Sequence, residues 1–407
     1  MEKLFSQSIE DLSNLRKFSS EELGVLEKVD KAAQELMASE LESYLRRELN
    51  KEGPKIAKKH GILGIPVDKK YGGLGMDPLI AVLAKERLGQ VGLGFSSYYN
   101  VQVFLTQLAI QRWGTEDQKE RYLKKAARGE ITLAFGLTEP EAGSDPASMK
   151  TTYEKKNGKF LINGSKYLIT NGSIADAMIV FSRSKSTKNE FSAFIVDTDK
   201  PGFEVTTHLK EKIGLFTSDT AMLEFKNIQI PAENVLGPIG EGLHVAYSSL
   251  LNGRMGVASA CIGVIEDCLN TSISRARERV QHGKQIGKHQ LIQEHIAEIA
   301  QNLEKARWPV YFAAIRKAEY EKHPDNKILR EEIDMRTALA KKIASRSAWD
   351  SADRAVQVFG GFGYSLLSPV GRHYCDARVT RIYEGSDEIL ELKIAAHVLG
   401  DDFKAFD

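Results

Sequence analysis

The stretch Ala177-Met178-Ile179-Val180-Phe181 decides the fold, because it is short, apolar and bounded by Asp176 and Ser182 in a chain otherwise patterned as helix. Runs of this kind read as buried strands. Phe160-Leu161-Ile162, Ala193-Phe194-Ile195-Val196 and Met222-Leu223-Glu224-Phe225 repeat the signal, separated by Asn-Gly, Asp and Pro-Gly punctuation. Upstream, Leu23, Leu26, Val29, Ala33, Leu36 and Leu41 recur at three- and four-residue spacing over residues 20–49, as an amphipathic helix requires. Ser19 or Ser20, ahead of Glu21 and Glu22, supplies its cap. After the glycine turn Tyr71-Gly72-Gly73-Leu74-Gly75, helical periodicity resumes over residues 78–111. Long helical patterns return over residues 245–279, 291–322 and 331–359, and Pro309 should kink the second of these. The expectation is a mainly α protein with a β-domain: helices over 1–130, a β-barrel-like middle over 131–240, and a helical bundle over 241–407. Strands do not alternate with helices, which disfavours a parallel-sheet fold.

With 407 residues, 42% of them hydrophobic and 27% charged, the chain can bury a sizeable core and is not disordered. Its 56 basic and 55 acidic residues leave a formal charge of +1, so no overall field favours nucleic acid or an anionic membrane. Cys261, Cys268 and Cys375 are odd in number and lack CxxC spacing, which fits a reducing, cytoplasmic setting without a disulfide framework. The opening Met1-Glu2-Lys3-Leu4-Phe5-Ser6-Gln7 has no apolar core of a signal peptide, and no run is long enough to span a bilayer. GxGxxG is absent. Gly283-Lys284-Gln285-Ile286-Gly287-Lys288 is one residue short of a P-loop, with His289 where Ser or Thr would bind magnesium. HExxH is missing and the nine histidines show no ligand spacing, so no metal is expected. What remains suits a bound organic cofactor that carries electrons itself.

Two motifs carry the chemistry. Arg381-Ile382-Tyr383-Glu384-Gly385-Ser386 places a carboxylate between an aromatic side chain and a turn-forming glycine, where a general base can be built. Gly136-Leu137-Thr138-Glu139-Pro140-Glu141-Ala142-Gly143-Ser144-Asp145-Pro146 lies upstream of it. Together they resemble the acyl-CoA dehydrogenase flavoprotein family, from about Ser20 to the end, with landmarks in the family order. The resemblance is to short-, medium- or branched-chain members. Ala134-Phe135-Gly136-Leu137-Thr138-Glu139-Pro140 and Gln290-Leu291-Ile292-Gln293 are similar to the glutaryl-CoA branch. It implies an N-terminal helical domain, a middle β-barrel-like domain and a C-terminal four-helix bundle holding FAD.

By that resemblance Leu137, Thr138, Gly143 and Ser144 contact the flavin, Ser144 also touching a flavin phosphate and the substrate. Leu168 and Thr170, in Asn163-Gly164-Ser165-Lys166-Tyr167-Leu168-Ile169-Thr170-Asn171, would lie beside the isoalloxazine, Thr170 near N5. Many members carry an aromatic where this chain has Leu168. Arg279, Gln281 and His282 look like the segment reaching a neighbouring subunit's FAD pyrophosphate, His282 replacing a phenylalanine. Gln357, Gly360 and Gly361 resemble the stretch packed on the ADP half, and Ser386 and Glu388 join the cofactor side. A homotetramer, a dimer of dimers, is implied.

Glu384 would be the base for the α-proton and flavin N5 the acceptor of the β-hydride, giving the trans-2-enoyl-CoA, with electrons passing to an electron-transferring flavoprotein. Tyr383 and Gly385 flank that base at the substrate, and the Glu384 N–H would polarise the thioester oxygen. Some relatives carry the base one residue before an arginine equivalent to Arg254; here that position is Gly253. Leu251 stands where many members use aspartate on the pantetheine arm, and Tyr98 or Tyr99 could fill the far end of an acyl pocket lined around residues 96–105. Ser96 stands where the glutaryl branch anchors a carboxylate with arginine, which disfavours a dicarboxylate. The alternatives are an acyl-CoA oxidase on the same fold, a glutaryl-CoA dehydrogenase-like enzyme and, from another class, a DNA-associated flavin-bearing scaffold. The chain's end at Asp407, without an added domain, and its near-zero charge tell against the first and last.

Overall fold

The computed structural model describes Leu12, residues 16–403 and Ala405. The signal-peptide reading of residues 1–7 lies outside the described residues. Helix α1 spans Ser20–Arg46. Its first turn is closed by Ser19, whose hydroxyl accepts from Glu22 N while the Glu22 carboxylate accepts from Ser19 N, a full capping box. Helix α2 spans Pro78–Val91, and Gly92, at φ +150°, separates it from the next helix. That helix, α3, is continuous over residues 93–113 but is not regular: Asn100–Gln107 winds as a π-helix between two α-helical ends. Thr106 Oγ1 donates to the carbonyls of Val101 and Gln102, inside the widened turn. Apolar spacing reads the same for both windings, so the sequence gives no sign of it.

The middle of the chain forms one eight-stranded sheet. Its strands are β1 (Leu133–Gly136), β2 (Thr152–Lys156), β3 (Lys159–Thr170), β4 (Ala177–Ser184), β5 (Phe191–Asp197), β6 (Phe203–His208), β7 (Thr220–Pro231) and β8 (Val235–Leu236). The path runs β6-β7-β3-β2-β4-β5-β8, with β1 added beside β4. Side chains alternate along each strand. Ala134, Met178, Val180, Phe194 and Phe225 face inward to one apolar cluster, while Leu133, Phe135, Ile179, Phe181 and Ile195 face a second one shared with α3. The sheet therefore curls over its own core and offers its other face to the helices. Two pairings depart from expectation: β1 and β2 both run parallel to β4.

Helices α4 (Gly242–Glu278), α5 (Gln290–Lys322), α6 (Lys327–Phe359) and α7 (Asp387–Leu399) complete the fold. Pro309 lies inside α5 without ending it. N- and C-terminal helices are not separate bodies: Val29, Leu36 and Leu83 share one core with Val264, Leu303 and Ala348. At its centre Arg307 Nη2 lies 3.1 Å from both Glu86 and Glu266, and Tyr311 donates to Glu86 at 2.6 Å. Burial pushes the Glu266 carboxyl up to about 7.

Candidate active site

The site forms where α3, β3, α4 and the segment before α7 converge. Glu384 and Gly385 both adopt left-handed backbone, at φ +55° and +92°, just ahead of Ser386, whose hydroxyl accepts from Ile389 N at 3.4 Å and caps α7. That turn carries Glu384 onto α4. There Gly253 leaves the room: a Cβ built at residue 253 would lie 2.4 Å from Glu384 Oε2 and 2.7 Å from Leu105 Cδ2. Oε2 is buried and has no hydrogen-bond partner, although the residue as a whole is half-buried. Burial raises the Glu384 pKa to about 7, against the pull of Arg254 and Lys341.

Glu384 opens on a cavity of about 140 Å³, whose wall includes Leu137 and Thr138 after β1, Leu168 and Thr170 on β3, and Tyr383. Leu168 sits at a register shift between β3 and β7, at φ +56°, which turns its side chain out to 44% exposure. The opposite wall is α3. Ser97, Val101 and Leu105, four apart, line it, the spacing that stacks residues in a widened helix. Asn100 lines it too, its amide donating to Gly253 O at 3.3 Å.

A second cavity, of about 670 Å³, meets the first at Leu137 and Leu250. Gly143, Ser144, Arg254 and Gly385 line it, with Asp334 and Lys393. Asp334 takes Arg254 Nη1 at 2.6 Å and Lys393 Nζ at 2.8 Å. Burial works to raise its pKa, but those two cations hold it below the usual value.

The 137–144 loop is fixed from below. Glu139 is buried, pairs with the fully buried Lys166 at 2.7 Å, and accepts from Lys150 N and Thr151 N at 2.5 and 3.1 Å. Lys166 also donates to Leu137 O at 3.1 Å, and Tyr167 N to Thr138 O at 2.9 Å. The Glu of Thr-Glu-Pro is thus an anchor holding its neighbours at the cavity.

Tyr98 and Leu251 fall in the core and not on a cavity wall. Tyr98 is buried in the helical core with Phe95, ring centroids 5.8 Å apart, and neighbouring Ser97 takes the cavity wall. Leu251 packs with Tyr320 and Ile333, and Leu250, one residue earlier, faces both cavities. One residue along a helix is about a quarter turn, enough to exchange wall for core. Ser96 is also behind the wall; its carbonyl accepts from the buried Lys85 ammonium. Arg279, Gln281, His282, Gln357, Gly360 and Gly361 are exposed and line neither cavity. Ala276, Ile286 and Val358 pack together, which sets the first three beside the last three in a separate surface group. Ser386 and Glu388 are also outside both cavities. Ser97 and Asn100 fall within the expected lining around residues 96–105, whereas Leu250 and Lys341 are additions of the structure, Leu250 being one turn from Gly253 and Arg254.

Known proteins match this arrangement along nearly all of the chain. Acyl-CoA dehydrogenase N-terminal, middle and C-terminal domain families match residues 19–130, 134–228 and 240–399. An acyl-CoA dehydrogenase of Bacillus subtilis (strain 168) is 40% identical over 344 residues, covering 84% of this chain and 88% of that protein. A short-chain specific acyl-CoA dehydrogenase of Megasphaera elsdenii is 38% identical over 335 residues, covering 81% and 85%. A chain in a structure described as the electron transferring flavoprotein of Acidaminococcus fermentans superposes with TM-score 0.88 at 34% identity, covering 94% and 99%. The chain belongs to the acyl-CoA dehydrogenase family. It is an oxidoreductase, and FAD is the cofactor that goes with this family.

Among the described residues no helix is long and apolar enough to cross a membrane, and no group of three or more His, Cys, Asp or Glu could hold a metal.

Proposed function

We propose that the chain desaturates a short acyl-CoA thioester between its α- and β-carbons, with Glu384 as the base. The observation that carries this is the buried, unpartnered Glu384 Oε2, seated on Gly253 beside a small cavity. A carboxyl at about 7 is matched to proton transfer near neutral pH. Glu384 takes the α-proton, the β-hydrogen leaves as hydride, and the pair from the α C–H bond becomes the new C=C. FAD, when bound, supplies the hydride acceptor. The exposed face of Leu168 and the Thr138 and Thr170 hydroxyls beside Glu384 suit a flat ring with polar edges, so the residues present fit the group. Leu137, Thr138, Gly143, Ser144, Leu168 and Thr170 would hold it. Arg279, Gln281, His282, Gln357, Gly360, Gly361, Ser386 and Glu388 would complete its site across subunits of a homotetramer.

The larger cavity, with Arg254, Asp334 and Lys393 on its wall, suits the polar carrier arm, and Tyr383 and Gly385 flank the thioester. The short chain in this reading rests on the short-chain specific relative of Megasphaera elsdenii. An electron-transferring flavoprotein is the acceptor this reading supplies, in a cytoplasmic enzyme of three domains over 1–130, 131–240 and 241–407.

The test is anaerobic bleaching of the flavin by straight, branched and dicarboxylic acyl-CoAs. The wild type should bleach fastest with a short straight chain, at a rate that rises with pH through about 7 as Glu384 loses its proton. Glu384→Gln should keep flavin and ligand but bleach about a thousandfold more slowly. Near-normal bleaching by that variant would sink the assignment, and fast recolouring in air would favour an oxidase.

A further inference from the structure

One buried cation beside the site is unused by the reaction as derived. Lys341, in the middle of α6, has no solvent exposure, and its ammonium donates to Gly385 O at 2.6 Å. It makes no ion pair within 4 Å among the described residues, although burying an ammonium without one is costly. A lysine kept there must do something for the group it touches. Gly385 O is the carbonyl of the second of two consecutive left-handed residues, and the first of the two is Glu384. Left-handed backbone is strained for an L-residue such as Glu384, so this turn relaxes unless it is held from outside. We infer that Lys341 is a positioning residue for Glu384: by gripping the Gly385 carbonyl it fixes the turn that aims both the carboxylate and the N–H of Glu384 into the cavity.

The inference rests on reading Glu384 as the base. Arg254 and Cys261 from α4, Asp387 at the start of α7 and Glu384 itself face the ammonium. Burial lowers the Lys341 pKa to about 8, with Cys261, Asp387 and Glu384 opposing the fall, so the ammonium is charged when the base works near neutrality. Its charge favours the carboxylate form of Glu384. One side chain thereby sets both the direction and the readiness of the base.

The experiment compares flavin-loaded wild type, Lys341→Met and Lys341→Gln in the pH profile of anaerobic bleaching by a thioester that reduces the wild type. Lys341→Met should retain flavin, lose about tenfold in limiting rate through misaim, and shift the acidic limb upward by about one pH unit through the lost charge. Lys341→Gln, a donor without charge, should recover part of the rate while its limb stays displaced. In a Glu384→Gln background Lys341→Met should cost less than it does in the wild type, because only the backbone N–H is left to aim. An unchanged limb in Lys341→Met, or an equal loss in that background, overturns the inference. So does failure of both variants to fold and hold flavin, since the lysine would then serve the fold alone. A wild type that no thioester bleaches removes the base reading itself, and the inference with it, which is a distinguishable result.

Discussion

At the scale of single residues the site depends on an atom that is missing. Gly253 has no Cβ, and that space is where the Glu384 carboxylate lies. Alanine is worth up to about 1 kcal/mol more than glycine inside a helix, so Gly253→Ala in α4 should fold and hold flavin normally. Its methyl must push Oε2 aside, and bleaching by thioester should fall at least about tenfold. Stopped-flow bleaching beside a melting curve separates the two effects; unchanged bleaching would mean that the carboxylate is aimed from elsewhere. Glu384 stands out in the sequence because its neighbours in the 381–386 motif restrict its role, whereas Gly253 reads there only as a position that cannot supply a base. Lys341 does not stand out. A polar residue in a helical pattern reads as a solvated face, and only the fold turns this one toward the Gly385 carbonyl, 44 residues away.

At the scale of elements, β3 and the 137–144 loop act as one unit through Lys166 and Glu139. Removing one partner of a buried pair costs about 3–5 kcal/mol, because the other charge stays buried. Lys166→Met should therefore loosen the loop that presents Leu137, Thr138 and Ser144. Flavin should be released well below the temperature at which the helices melt, whereas in the wild type the two events should coincide. Flavin fluorescence and far-ultraviolet circular dichroism, followed in one heating run, check this. Strand and helix positions followed from the period of apolar residues, and the capping box at Ser19 and Glu22 from local chemistry. The π-helical winding of 100–107 did not follow, because every residue in that span is buried and the apolar period marks no preferred face. The parallel pairing of β1 and β2 with β4 was hidden for another reason: partners so far apart in sequence leave no local mark.

At the scale of the molecule, Arg307 joins three helices from opposite ends of the chain. Arg307→Leu would remove the cation that both Glu86 and Glu266 touch, leaving them only the more distant Arg87, which is paired with Asp30. A loss of about 3–5 kcal/mol is expected at pH 8. Because the buried Glu266 carboxyl takes up a proton more readily when folded than when unfolded, the deficit should narrow as pH falls toward 5. Melting curves of both proteins at the two pH values decide it, and a deficit independent of pH would contradict the cluster's role. The order of helices, sheet and helices was legible from Ala177–Phe181 outward; the fusion of the two helical parts into one core was not.

That fusion bears on how the protein is born. Glu86 must wait for Arg307, a partner 221 residues later in the chain, while the inward core of the sheet is drawn from residues 134–230 alone. On the ribosome the sheet can close first, with the leading helices still exposed and in need of shelter. The order of synthesis would then differ from the order of folding, the first segment made being among the last to find its place.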